Sequence, residues 1–268
     1  MRAIIPVADI DDPRLAAFHK VRERDLVGRE GRFIAEGEVV LRVLITRARH
    51  KAEAVLLAEK RVAGLAELLN QLDADTPIYA APQTVMDAIA GFHIHRGILA
   101  VGRRDPGLSA ADLLGRLPER ALILVLFGIA NHDNMGGLFR NAAAFGADAV
   151  ILDPDCCDPL YRKAIRVSVG AALVTPFAKL AQGEDPLALL DRLGFEALAL
   201  SPSGATPLGE LRRAPRAALL LGTEGPGLPQ SLLARARAVA IPMAGGLDSL
   251  NVATAGAIAL HHLAFAAP

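Results

Sequence analysis

Apolar residues follow two rhythms along this chain. In the first hundred residues they alternate between helical and extended spacing. PRLAAFHKVRERDL has apolar positions every three or four residues and a proline at its start, which predicts an amphipathic helix. RFIAEG predicts a short strand, and GEVVLRVLITRA returns to helical spacing. AEAVLLAE, PIYAA and RGILAVGRR predict further strands with helices between them. RRDPGLSAADLLGRLPER then interrupts the pattern with Pro106, Gly107, Ser109 and Pro118, a linker with one short helix inside it. From Ala121 the runs become denser: ALILVLFG, ADAVILD, EALAL, AALLLG and AVAIP. Short, continuous apolar runs bounded by turn residues suit a parallel sheet buried on both faces. The pattern divides the chain into a smaller α/β domain over 1–105, a linker over 106–119 and a larger α/β domain over 120–268.

Composition narrows the class. With 52% hydrophobic residues in 268, the chain can bury a sizeable core, built from Ala, Leu and Val because aromatics are only 4% and Trp is absent. The formal net charge of zero argues against holding nucleic acid by bulk charge and leaves a local basic patch as the alternative. The two cysteines, Cys156 and Cys157, are adjacent and cannot form a disulfide framework; packed thiols are favoured over a redox pair. The opening MRAIIPVADIDDPR turns acidic too early for a secretory signal, and no apolar run approaches the roughly 18 residues of a membrane span. A cytoplasmic protein is the expectation.

Three loops carry chemistry. NHDNMGGLFRNAAAFGAD, residues 131–148, follows the apolar run ALILVLFGIA. In an open parallel sheet, ligands sit beyond the carboxyl ends of the strands, where this polar cluster falls. Asn134 is a candidate helix cap, Gly136 and Gly137 allow close approach, and Arg140 lies about one helical turn beyond Gly136, able to point back to the same mouth. LGTEGPGLP, residues 221–229, is a tight, glycine-rich turn with Glu224 inside it. It matches neither the dinucleotide fingerprint nor a phosphate-cradling loop, and its carboxylate would repel phosphate. IPMAGGLDSLNVATAGAIALHHLAF, residues 241–265, joins a strand end to a helix of small residues, with Ser249 as an ordinary candidate cap.

Taken in order, N-x-G-x-x-x-R, L-G-x-E-G-x-G-L and I-P-M-x(5)-S-L-N-V-A resemble the three motifs of the SpoU (TrmH-like) branch of the SPOUT RNA methyltransferases. KAIRVSVGAAL, residues 163–173, is similar to the segment between the first two motifs. FIAEGEVVLRVL and GFHIHRGILAV resemble, more loosely, the family's amino-terminal RNA-binding domain. The resemblance implies a carboxy-terminal parallel-sheet domain with a deep trefoil knot, a smaller amino-terminal α/β RNA-binding domain, and a homodimer formed through the carboxy-terminal domain. It implies S-adenosylmethionine as cofactor, contacted by Gly222, Ile241 and Leu250 with Ser201, Met243 and Gly227 nearby. The implied reaction is methyl transfer to a ribose 2′-hydroxyl of structured rRNA or tRNA. Arg140, Asn134, Glu224, Ser249 and Asn251 match the functional positions. Asn131-His132 stands where many relatives have Asp-Pro.

Other polar residues have plainer readings. His93 and His95 alternate as in a strand; no further ligands are near enough to expect a metal, and His95 is a candidate RNA contact. His261 and His262 end a helix, a structural position. Arg22, Arg24, Arg29 and Arg32 alternate with acids, so a solvated face and phosphate contact both stay open. Arg162, Lys163 and Arg166 are better candidates for a basic rim that meets RNA beside the active site. Two competing functions remain: an inactive RNA-binding or assembly protein on the same fold, which failure to bind the cofactor would favour, and an unrelated nucleotide-binding enzyme, which lacks its phosphate loop.

Overall fold

The computed structural model describes residues 2–19, 23–91, 96–223, 225–245 and 249–265, with backbone alone at 23–25. The chain forms two compact units: Met1–Pro106 with Asp158–Val174, and Gly107–Cys157 with Thr175–Pro268. The division differs from the sequence boundaries in two places. Residues 158–174 pack within the first unit, not the second. The helix expected inside the linker, Ala110–Gly115, is capped by Ser109 and buries Leu113 and Leu114 in the second unit's core.

The first unit is a five-stranded mixed sheet in the order β1-β4-β3-β5-β2, from Ile5–Pro6 (β1), Arg32–Glu36 (β2), Lys51–Ala58 (β3), Ile78–Ala81 (β4) and Ile98–Arg103 (β5). β5 runs antiparallel to both β2 and β3. Gly102 on β5 is needed because any Cβ there would enter the Phe33 ring of β2. The single helix expected from PRLAAFHKVRERDL is instead a 3-10 turn, Pro13–Phe18, and a helix, Glu23–Gly28. Asp12 caps the turn, and His19 ends it in extended backbone with its Nε2 2.6 Å from the Ile10 carbonyl oxygen, so the helical spacing is not continued. Leu15 and Phe18 still bury, as their spacing predicted.

The second unit is a seven-stranded sheet, all parallel, in the order β10-β12-β9-β11-β6-β7-β8. Its strands are Ala121–Leu126 (β6), Ala149–Leu152 (β7), Phe177–Lys179 (β8), Glu196–Leu200 (β9), Thr206–Pro207 (β10), Arg216–Leu221 (β11) and Arg237–Ala240 (β12). Every residue of β6 and β7 is buried, which is why both read as unbroken apolar runs. Because all strands run one way, the carboxyl ends of β6, β9, β11 and β12 share one edge of the sheet. The three polar loops all leave from that edge. On the helix Val252–Phe265, His262 approaches the Leu211 carbonyl oxygen at 3.1 Å and the His261 ring meets Phe145 edge-on and Phe265 at a tilt, structural positions as expected.

His50 is the clearest buried ionisable group of the first unit. Its Nδ1 accepts the Asp105 amide at 3.1 Å, so the ring proton sits on Nε2, a buried atom with no hydrogen-bond partner among the described residues. Burial, helped by the nearby Arg49 charge, pushes its pKa down to about 4. A folded-state pKa below the unfolded value of about 6.5 means the unfolded chain binds more protons between those limits. Stability is therefore full above about pH 6.5 and falls as pH drops toward 4, by roughly 3 kcal/mol for a shift of this size. Chemical denaturation between pH 7 and 4.5 should show this slope in the wild type and a flatter one in His50→Gln.

Candidate active site

The loop after β6 is held before any functional group is reached. Gly128 donates its amide to Asp153 Oδ2 at 3.1 Å, and Ile129 donates to the Cys156 sulfur at 3.3 Å. The Cys156 thiol in turn donates to the Leu126 carbonyl at 3.4 Å. Burial raises the thiol's pKa, so it stays a neutral donor, the packed thiol that the sequence favours. The turn over 153–156 thus fixes the exit of β6, and sequence reasoning missed it: no local signal links Asp153 to a loop that precedes it by a whole helix and strand.

Asn131 then caps the helix His132–Ala144, accepting the Asp133 and Asn134 amides on Oδ1 at 2.8 and 3.2 Å. The expectation that Asn134 is the cap is corrected. Asn134 lies inside the helix and is only 7% exposed. Both residues are good caps by type, but Asn131 alone has the extended backbone a cap requires. The Asn-His pair therefore keeps the capping oxygen that an aspartate would supply. Arg140 is exposed and forms no hydrogen bond or ion pair among the described residues.

The loop after β11 turns so tightly that a Cβ at Gly222 would collide with the Gly227 carbonyl carbon and the Leu228 amide nitrogen. Gly227, in left-handed backbone, closes the turn by donating to the Thr223 carbonyl at 3.1 Å. Glu224 lies outside the described residues. In the third loop the cap is Asn251 and not Ser249: Asn251 Oδ1 accepts the Ala253 and Thr254 amides at 2.9 and 3.2 Å, opening the helix Val252–Phe265. The same side chain donates from Nδ2 to Asn134 Oδ1 at 2.9 Å, joining the first loop's helix to the third loop.

Between the second and third loops lies a cleft of about 340 Å³. Gly222, Ile241, Leu250, Ser201, Met243 and Gly227, the six positions expected at a cofactor, all line it, as do Ser249 and Asn251. Leu200, Leu221, Val252 and Ala255 make most of its wall apolar. Arg140 and Asn134 do not line it; Asn134 is joined to its wall through Asn251.

Three of the expected RNA contacts, Arg162, Lys163 and Arg166, lie in the first unit. Arg162 and Arg166 lie on the helix Arg162–Val167 of the first unit. Arg162 Nε is 2.9 Å and Arg166 Nη1 3.7 Å from Oε2 of Glu36, a carboxylate only 5% exposed. A buried carboxylate needs such partners, so both arginines brace Glu36 in addition to the RNA contact expected of them. Lys163 is exposed. Arg32 pairs with Glu53 and Glu30, a solvated network. His93, His95, Arg22 and the side chain of Arg24 lie outside the described residues.

Residues 121–261 match the SpoU rRNA methylase family. The chain belongs to that family. It is 41% identical over 264 aligned residues to an uncharacterised tRNA/rRNA methyltransferase of Mycobacterium bovis, covering 95% of this chain and 90% of the relative. It is 33% identical over 176 residues to the 23S rRNA (guanosine-2′-O-)-methyltransferase RlmB of Coxiella burnetii, covering 63% and 69%. Its fold is that of an AdoMet-bound rRNA methyltransferase from Sinorhizobium meliloti, with a TM-score of 0.80 over 97% of both chains at 22% identity. Among the described residues no helix is long and apolar enough to cross a membrane.

In this SpoU chain the Asn134–Asn251 pair carries a stability consequence. Asn251→Ala removes a helix cap and leaves a buried amide short of a partner, which should cost about 2–4 kcal/mol. Urea denaturation of the two single variants and the double variant should show that Asn134→Ala costs less once Asn251 is gone.

Proposed function

We propose that this chain transfers a methyl group from S-adenosylmethionine to a ribose 2′-hydroxyl of structured rRNA or tRNA. The observation that carries the reading is the cleft between the second and third loops, lined by all six expected cofactor positions. Its volume and largely apolar wall suit a nucleoside-sized ligand. Gly222 fits the same role, since its missing side chain brings two stretches of backbone together at the cleft wall. When bound, the cofactor supplies an electrophilic methyl on a sulfonium.

The chain's own residues would do the rest. Gly222, Gly227, Ile241 and Leu250 enclose the cofactor, with Ser201 and Met243 at the margin. Arg140 meets the RNA. An arginine is essentially always protonated, so it acts as a fixed positive charge that stabilises the alkoxide as the 2′-hydroxyl loses its proton, not as a free base. Asn134 and Asn251 hold the geometry between Arg140's helix and the cleft; Ser249 and Glu224 complete the functional set. Much of the rate gain would come from aligning hydroxyl, methyl and sulfur in line. A 2′-hydroxyl acceptor also separates RNA from DNA.

The wider reading includes a trefoil knot made by the second and third loops, cytoplasmic action on RNA, and RNA binding by the first unit with Arg162, Lys163, Arg166 and His95. It also includes a homodimer built on the helix Val252–Phe265. That helix leaves Ile258 41% and Phe265 68% exposed, apolar surface that a second copy would cover. The alternative, an inactive RNA-binding protein, is disfavoured by the formed cleft and the available Arg140.

Labelled cofactor incubated with total RNA from a strain lacking this protein tests the reading. Arg140→Ala should lower turnover by about two to three orders of magnitude, the scale of a lost transition-state donor. Cofactor affinity should hold, because Arg140 does not line the cleft. Normal turnover in the variant would remove Arg140 from the mechanism.

A further inference from the structure

Arg140 stands on one helix and the cleft is walled by another, so the reaction proposed above needs the two helices locked in rotation as well as in distance. One face of the helix His132–Ala144 shows how this is done. Asn134, Gly137, Leu138 and Asn141 recur at helical spacing and meet the start of the helix Val252–Phe265. Asn134 accepts from Asn251 at 2.9 Å, as described. About two turns further on, Asn141 Nδ2 donates to the Ala253 carbonyl oxygen at 2.8 Å. Between these bonds a Cβ on Gly137 would lie 3.0 Å from the Ala253 Cβ, tighter than ordinary contact. Gly256 faces Leu138 just as closely: a Cβ there would lie 2.9 Å from Leu138 Cδ2.

The Ala253 residue is therefore held from both sides. Its amide is taken by Asn251 Oδ1 and its carbonyl by Asn141 Nδ2. The first holder, Asn251, lines the cleft, and the second is the residue immediately after Arg140. One hydrogen bond between two helices leaves them free to pivot about it. A second, anchored two turns or about 10 Å further along the first helix, opposes that pivot. The lever is long: an arginine tip roughly 9 Å from a helix axis moves by about 1.5 Å for a 10° rotation of the helix. A misplacement of about 1 Å is enough to cost on the order of a hundredfold in rate.

We infer that Asn141 is a positioning residue for methyl transfer, setting the direction of Arg140 against the cofactor cleft through its bond to the Ala253 carbonyl. The inference rests on the methyltransferase reading. It assigns Asn141 no contact with RNA or cofactor; its effect passes through the helix.

Asn141→Ala and the near-isosteric Asn141→Asp test it in the full-length protein, with labelled S-adenosylmethionine and the same RNA. Asn141→Ala should lower kcat by about ten- to a hundredfold. The KM for the cofactor should stay within about threefold and the melting temperature within a few degrees, since Asn141 is only half-buried. Asn141→Asp should be at least as impaired at pH 8, where a carboxylate faces the carbonyl oxygen. Its defect relative to wild type should shrink as pH falls toward 5 and the protonated carboxyl regains a donor, while the alanine defect stays constant. That pH-dependent rescue is a signature that loss of packing does not produce. Unchanged kcat in both variants overturns the inference, and so does a loss of kcat, cofactor affinity and melting temperature together with no rescue at low pH. Wild-type protein that methylates no RNA overturns the methyltransferase reading itself, and this inference with it.

Discussion

The hydrogen bond from Asn251 to Asn134 is the contact on which the site's geometry turns. It joins a residue capping the last helix to a buried residue of the helix that carries Arg140. A polar side chain at 7% exposure is tolerated only with its partners in place, so the bond constrains both loops at once. Glycines on either side supply the close approach: Gly137 against Ala253, and Gly256 against Leu138 and Leu221. The three loops therefore form one unit although more than a hundred residues of chain separate the first from the last.

The all-parallel sheet makes that unit geometrically available. β6 and β11 are direct neighbours, as are β11 and β9, and β9 and β12. Loops from adjacent parallel strands emerge side by side, and the cleft takes a wall from each of the ends of β9, β11 and β12. On the β6 side, Asp153 and the neutral thiol of Cys156 stiffen the exit, so the polar cluster starts from a defined point. Rigid strands thus hold loops that are joined by the paired side chains of Asn134 and Asn251, and Arg140 is held through its helix. A charged centre needs this arrangement if its stabilisation of a developing negative charge is not to be lost in reorganisation.

Legibility in the sequence followed element length and local chemistry. β6 and β7 were readable because complete burial leaves an unbroken apolar run, β11 because five of its six residues are buried, and β9 and β12, which are less buried, because Ala, Leu and Val still dominate them. β8 and β10 were not, because three and two residues carry no period. The positions expected at a cofactor came from the resemblance in motif order, and they line one cleft. The caps went to the wrong residues, Asn134 for Asn131 and Ser249 for Asn251, since each pair offers two good capping types and only backbone conformation chooses. The ion pairs of Arg162 and Arg166 were not legible either, because Glu36, an acid in the strand RFIAE, reads as surface charge until its burial is known. The strut of Asn141 was invisible for a similar reason, because its acceptor is a backbone carbonyl far along the chain.

The most direct test of the account is the chemical identity of the methylated product. RNA labelled by this protein with S-adenosylmethionine would be digested to nucleosides and separated by mass spectrometry. The account predicts that the label sits on the ribose of a 2′-O-methylnucleoside and that its phosphodiester resists alkaline cleavage. Label on a base would contradict the geometry assigned to Arg140, and RNA left unlabelled although the cofactor binds would contradict the proposed activity.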